Sequence, residues 1–90
     1  PTEVTAEIYI APPVAFMDFS GVGERRMLQL VIAGEHDDIG PPEYIRKYLA
    51  SWNTEAQLRV IKGGDHFFST TSDELERVLA AKLEEDIPHA

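Results

Sequence analysis

The sequence predicts an α/β fold with three largely parallel strands in spatial order 1-2-3. A βαβ unit forms its middle, and a C-terminal helix packs back on the sheet. Three observations carry this reading. Leu28 to Ala33 is a short apolar run with a β-branched pair, which suits a strand buried on both faces. Two later segments place apolar residues three and four apart, the spacing of a helix with one buried face. A strand–helix–strand order normally means parallel strands joined by a right-handed crossover.

Taken in order, Thr5 to Ala11 carries β-branched and aromatic residues and reads as a short strand, ended by Pro12-Pro13. Val14 to Met27 has no sustained helical period, so it is expected as a connection packed over the sheet by its aromatics. Its Gly21-Val22-Gly23 lacks the third glycine and the strand–turn–helix setting of a dinucleotide fingerprint, and reads as a flexible turn. The central run comes next, broken by Gly34. After Pro41-Pro42 a helix is predicted from Glu43 to Trp52. Ile45, Tyr48, Leu49 and Trp52 share its buried face, Arg46 and Lys47 lie outside, and Asn53-Thr54 closes it. Gln57 to Lys62 alternates, with Leu58 and Val60 opposite Arg59 and Ile61, as expected of a strand at or near an edge. Beyond Gly63-Gly64, Thr71 to Glu74 has the T-x-x-E form of a capping box. The helix behind it places Leu75, Val78, Leu79 and Leu83 on one stripe, with Glu74, Arg77, Lys82 and Glu84 outside.

Ninety residues make one small unit, or a piece of a larger one. A hydrophobic share of 43% with 27% charged residues is ordinary for a folded soluble chain. The formal net charge of −8 argues against nucleic acid or an anionic membrane as partner, since both require a basic footprint. With no cysteine there are no disulfides, no thiolate nucleophile and no Cys-ligated zinc. No apolar run approaches the roughly 20 residues of a membrane span, and the N-terminus lacks a signal pattern. The composition fits a bacterial-type cytoplasmic protein. The chain opens at Pro1 and enters a strand-like segment almost at once, as a fragment does, although removal of an initiator methionine would look the same.

The chemistry is expected where the strands end. Asp37 lies four residues beyond Ala33, and His66 lies four residues beyond Lys62. Parallel neighbours roughly 4.8 Å apart would bring these two loops to one rim of the sheet. A carboxylate that accepts from one imidazole nitrogen fixes the tautomer and leaves the other nitrogen free as a base. Asp65 reads as a turn residue that helps start the loop. The bland alternatives are a solvated strand-to-helix turn and a surface histidine on a glycine bend. Gly63-Gly64, which permits a sharp bend, and the apolar Phe67-Phe68 favour the functional reading of His66.

GEHDDIGPPE followed, after a helix and a strand, by GGDHFF resembles the C-terminal third of an α/β-hydrolase. The family pattern G-x-x-D-x-[IV]-x-P falls on Gly34, Asp37, Ile39 and Pro41, which selects Asp37 rather than Asp38 as the acid and leaves Asp38 as a surface charge, and its histidine turn falls on His66. IYIAPPVAFMDFS is similar to the strand and loop before the acid in small lidless bacterial members related to dienelactone hydrolase. The resemblance covers all but the first few residues. It implies that residues 1–90 form a single α/β unit, the C-terminal part of a larger hydrolase domain. It also implies serine-type hydrolysis of an ester, thioester or similar small carbonyl substrate, with Asp37 and His66 as the catalytic acid and histidine. No cofactor and no metal are implied.

The departure is the nucleophile. Ser20, Ser51, Ser69 and Ser72 are the serines of this chain, and none lies in a G-x-S-x-G elbow. The isolated chain is therefore expected to be inactive. It is also expected to self-associate or bind the rest of the hydrolase, because a cut sheet exposes an unpaired edge. Two other classes stay open. One is a non-catalytic α/β interaction module. The other is a metal site built from His36, Asp37, Asp38 and His66, against which stand the adjacency of His36 and Asp37 and the absence of an H-E-x-x-H spacing.

Overall fold

The computed structural model describes residues 6–86. In order these form β1 (Glu7–Ile10), β2 (Leu28–Gly34), α1 (Pro42–Trp52), β3 (Gln57–Ile61) and α2 (Ser72–Asp86). The three strands make one sheet in the order β1-β2-β3. Both pairings are parallel, with Ile8 opposite Leu30 and Val31 opposite Leu58. The predicted α/β architecture is therefore the one observed.

The central strand is buried on both faces because alternate side chains serve two separate cores. Leu30 and Ile32 join Ala11, Ile61, Phe68 and Val78 on one side, with Leu75 and Leu79 of α2 packed against them. Val31 and Ala33 join Val14, Leu28, Ile45 and Trp52 on the other, beneath α1. The Ile45, Tyr48, Leu49 and Trp52 stripe of α1 faces this second core as its spacing predicts, while Arg46 and Lys47 are exposed. Asn53 ends the helix. Its N–H donates to Leu49 O at 2.9 Å and its side-chain amide to Leu28 O at 3.0 Å, which ties the helix end to the start of β2. Arg25, just before β2, donates from Nε to Glu7 Oε1 at 3.2 Å and from Nη2 to Glu7 Oε2.

Several boundaries differ from expectation for identifiable reasons. The first strand stops at Ile10, because Ala11 turns into the left-handed region (φ 49°) before the prolines; Thr5 lies outside the described residues. Gly34 does not break the central strand but is its last paired residue, opposite Ile61. In the connection after β1, Val14 and Phe19 pack inward, whereas Phe16 (76% exposed) and Met17 (59%) face outward. The T-x-x-E box before α2 does not form: Thr71 Oγ1 is buried without a hydrogen-bond partner. On α2 itself Lys82 is buried and Leu83 exposed, the reverse of the predicted stripe. Here the helix crosses the polar edge of the sheet. The Lys82 stem lies in a shallow depression shared with Leu30, Gln57, Arg59 and Val78, the burial open to a long amphipathic side chain.

Candidate active site

β2 and β3 continue their pairing one step past their ends. Glu35 N–H donates to Ile61 O at 3.0 Å, and His36 N–H donates to Gly64 O at 2.8 Å. This approach requires glycine. A Cβ on Gly34 would stand 2.5 Å from Gly64 O and 2.7 Å from Asp65 O, both backbone atoms. The two loops thus leave the sheet in contact and at the same rim.

Asp37 comes next, within a turn closed by its own N–H, which donates to Gly34 O at 3.2 Å. Its side chain is fully buried. Oδ1 accepts from Ile39 N–H and Gly40 N–H, both at 2.8 Å. Oδ2 lies 2.8 Å from His66 Nδ1. Backbone N–H groups can only donate, so Oδ1 is an acceptor on both counts. Oδ2 is left to accept from a protonated Nδ1. In the neutral ring that assignment makes Nε2 the unprotonated nitrogen.

Asp38, next in the chain, is exposed. Gly40 is a second close approach, since a Cβ there would lie 2.3 Å from Pro12 O. With Ala15 N–H donating to Ile39 O at 2.9 Å, this contact seats the loop after β1 against the Asp37 turn.

His66 sits on the loop between β3 and α2. Gly63 (φ +75°) reverses the chain after β3, and Asp65 organises the turn beyond it. The Asp65 Oδ1 accepts from Ser69 N–H at 2.9 Å and Phe67 N–H at 3.1 Å. The Ser69 contacts, and then the Phe67 N–H, hold the Asp65 carboxyl below the ordinary aspartate range. Asp65 is thus a turn residue, as predicted. Phe68 is buried in the α2-side core with its backbone in the left-handed region (φ 53°). That anchor leaves Phe67 exposed and edge-on to the imidazole, with ring centroids 5.1 Å apart. The His66 side chain retains 21% of its surface, and Nε2 makes no hydrogen bond among the described residues.

The structure brings together the two predicted residues, Asp37 and His66. It does not gather the four proposed as metal ligands. His36 is exposed and points to Glu35 Oε1 at 3.4 Å, and no group of three or more potential ligand side chains occurs among the described residues. Glu35 was not singled out by the sequence; its Oε1 accepts from Gly63 N–H at 2.9 Å, linking the two loops. An acid beside Asp37 and Asp38 in an open turn carries no spacing signal that marks it.

No family model and no curated protein matches the chain. Three solved structures are similar to it. One is an α/β serine hydrolase homologue from Coxiella burnetii, 25% identical with a TM-score of 0.75 over 88% of this chain and 38% of that one. XC6422 from Xanthomonas campestris, an α/β serine hydrolase without a lid, is 28% identical with a TM-score of 0.78, over 96% and 39%. ATU1826 from Agrobacterium tumefaciens, a protein of unknown function, is 26% identical with a TM-score of 0.68, over 92% and 42%. The chain thus has the fold of part of an α/β hydrolase and spans about two-fifths of the length of these structures.

Proposed function

We propose that this chain is the acid–histidine portion of a serine-type α/β-hydrolase, of the dienelactone-hydrolase-like kind, acting on ester or thioester carbonyls. One observation carries the reading: the 2.8 Å contact between Asp37 Oδ2 and His66 Nδ1, made by loops that extend from adjacent parallel strands. In this mechanism His66 Nε2 takes the proton of a serine hydroxyl supplied by the remainder of the domain. That serine attacks the substrate carbonyl. Asp37 holds the ring in orientation and stabilises the imidazolium, which then gives its proton to the departing alcohol or thiol. Water repeats the cycle to release the acid. Asp37 serves without moving, because Ile39 and Gly40 already fix its other oxygen.

The chain alone is expected to show no turnover of a p-nitrophenyl ester above buffer. Joined to the polypeptide encoded upstream of Pro1, it is expected to hydrolyse that ester and to lose activity on His66→Ala. An upstream sequence without a G-x-S-x-G element, or a joined protein indifferent to His66→Ala, would overturn the assignment. The second reading is a non-catalytic α/β interaction module; a start codon adjacent to Pro1 would support it. A cytoplasmic location is part of this proposal; with no cysteine, the chain needs no disulfide to fold there. Among the described residues no helix is long and apolar enough to cross a membrane.

A further inference from the structure

The loops bearing Asp37 and His66 are held together by a side chain outside the pair. Glu35 is the first residue after β2, and Gly63 is the second after β3. The neighbouring backbone groups are already engaged. Glu35 N–H and Gly64 N–H both donate to Ile61 O, each at 3.0 Å, and Gly64 O accepts from His36 N–H. Gly63 N–H finds its acceptor in a side chain, Glu35 Oε1 at 2.9 Å. The glycine that donates is the left-handed residue (φ +75°) where the chain reverses towards His66. Glu35 contributes nothing to either core, and its side chain is 44% exposed. Its one other polar neighbour among the described residues is the exposed His36, 3.4 Å away.

We propose that Glu35 is a positioning residue for the acid–histidine pair. By accepting the Gly63 N–H, its carboxylate holds the β3–α2 loop in the bend that aims His66 Nδ1 at Asp37 Oδ2. The catalytic meaning of this role rests on the hydrolase reading, while its physical content is read without turnover. What matters is the acceptor oxygen rather than the charge. Glu35→Gln keeps a carbonyl oxygen at nearly the same reach, Glu35→Ala removes it, and His36→Ala removes the neighbouring imidazole while leaving the clasp.

The test is nitrogen-15 NMR of the ninety-residue chain and these three variants, following Gly63 amide exchange and the His66 ring nitrogens. In the parent chain His66 is expected as a single tautomer with the proton on Nδ1. Glu35→Ala is expected to speed Gly63 exchange about ten-fold and to give a mixture containing the Nε2–H form. Glu35→Gln and His36→Ala are expected to keep the parent tautomer and stay within about two-fold in exchange. Because Glu35 is exposed, its replacement leaves the cores untouched, and a loss of fold is not expected to obscure the result. The proposal is overturned if Glu35→Ala keeps the parent tautomer, or if Glu35→Gln behaves like Glu35→Ala. A joined protein with no esterase activity would instead remove the hydrolase reading and leave the tautomer result standing.

Discussion

At Asp37 the two carboxylate oxygens have different duties, and the duties can be separated. Oδ1 satisfies two backbone N–H groups of its own turn, while Oδ2 faces the imidazole. An Asp37→Asn side chain can still accept at Oδ1, but it presents an amide donor where the second oxygen was. It is expected to keep the turn and to invert the His66 tautomer, which ring nitrogen shifts would record. On the proposed hydrolase reading, the same change in the joined protein is expected to lower kcat about 10⁴-fold. Asp37→Ala leaves both N–H groups unpaired in a buried turn. It is expected to cost about 1–3 kcal/mol in denaturant unfolding. Both pair residues were legible in the sequence, because each follows a strand end within a few residues, two adjacent parallel strands share a rim, and the family pattern falls on Asp37 rather than Asp38. Glu35 was not, because its role depends on the path of a bend 28 residues further along the chain.

Among the elements, the crossing of the two loops at Gly34 and Gly64 is a tight constraint on the site. Gly34→Ala drives a methyl into the backbone of Gly64 and Asp65, neither of which can give way as a side-chain tip could. A destabilisation of about 1–3 kcal/mol is expected, read by thermal unfolding, with the His66–Asp37 contact disturbed before the cores are. The loop carrying His66 is also sensitive to acid through Asp65. Its carboxyl is lowered in the folded state, so the support it lends is present above the ordinary aspartate value of 3.8 and is lost as pH falls through the lowered one. Amide exchange at Phe67 and Ser69, corrected for intrinsic rates, is expected to be slower relative to a random coil at about pH 5 than at about pH 3.

Element types were readable because β2 is an apolar run and α1 keeps a helical stripe, and the parallel pairing because the order is strand–helix–strand. The α2 stripe was only partly so. Helical spacing permits either Lys82 or Leu83 to face the sheet; in the structure Lys82 does, in a depression shared with Gln57 and Arg59. The same limit explains Thr71, whose pattern suits a cap but whose hydroxyl is turned towards Gly64.

For the molecule as a whole, both outer strands of the sheet have one unpaired side among the described residues. Ile10 on β1, at 45% exposure, adds an apolar side chain to one of them. Unprotected edges of this kind recruit another chain. Size-exclusion chromatography with light scattering is therefore expected to show species larger than a monomer, shifting towards monomer on Ile10→Lys. A monomer at all concentrations would count against this view. Fold class could be read from ninety residues because the βαβ unit lies wholly within them.

The single tryptophan offers a practical handle. Trp52 lies fully buried where α1 meets the start of β2, stacked on Tyr48 at 5.6 Å and edge-on to Tyr9 at 5.3 Å, and its indole Nε1 has no hydrogen-bond partner among the described residues. An indole shielded in this way should emit at the blue end of its range, resist quenching by acrylamide, and move to the red only when the α1-side core opens. It stands at the opposite rim from His66. Fluorescence should therefore track global unfolding while staying silent to events around the histidine, giving every variant above an internal control for whether it has folded.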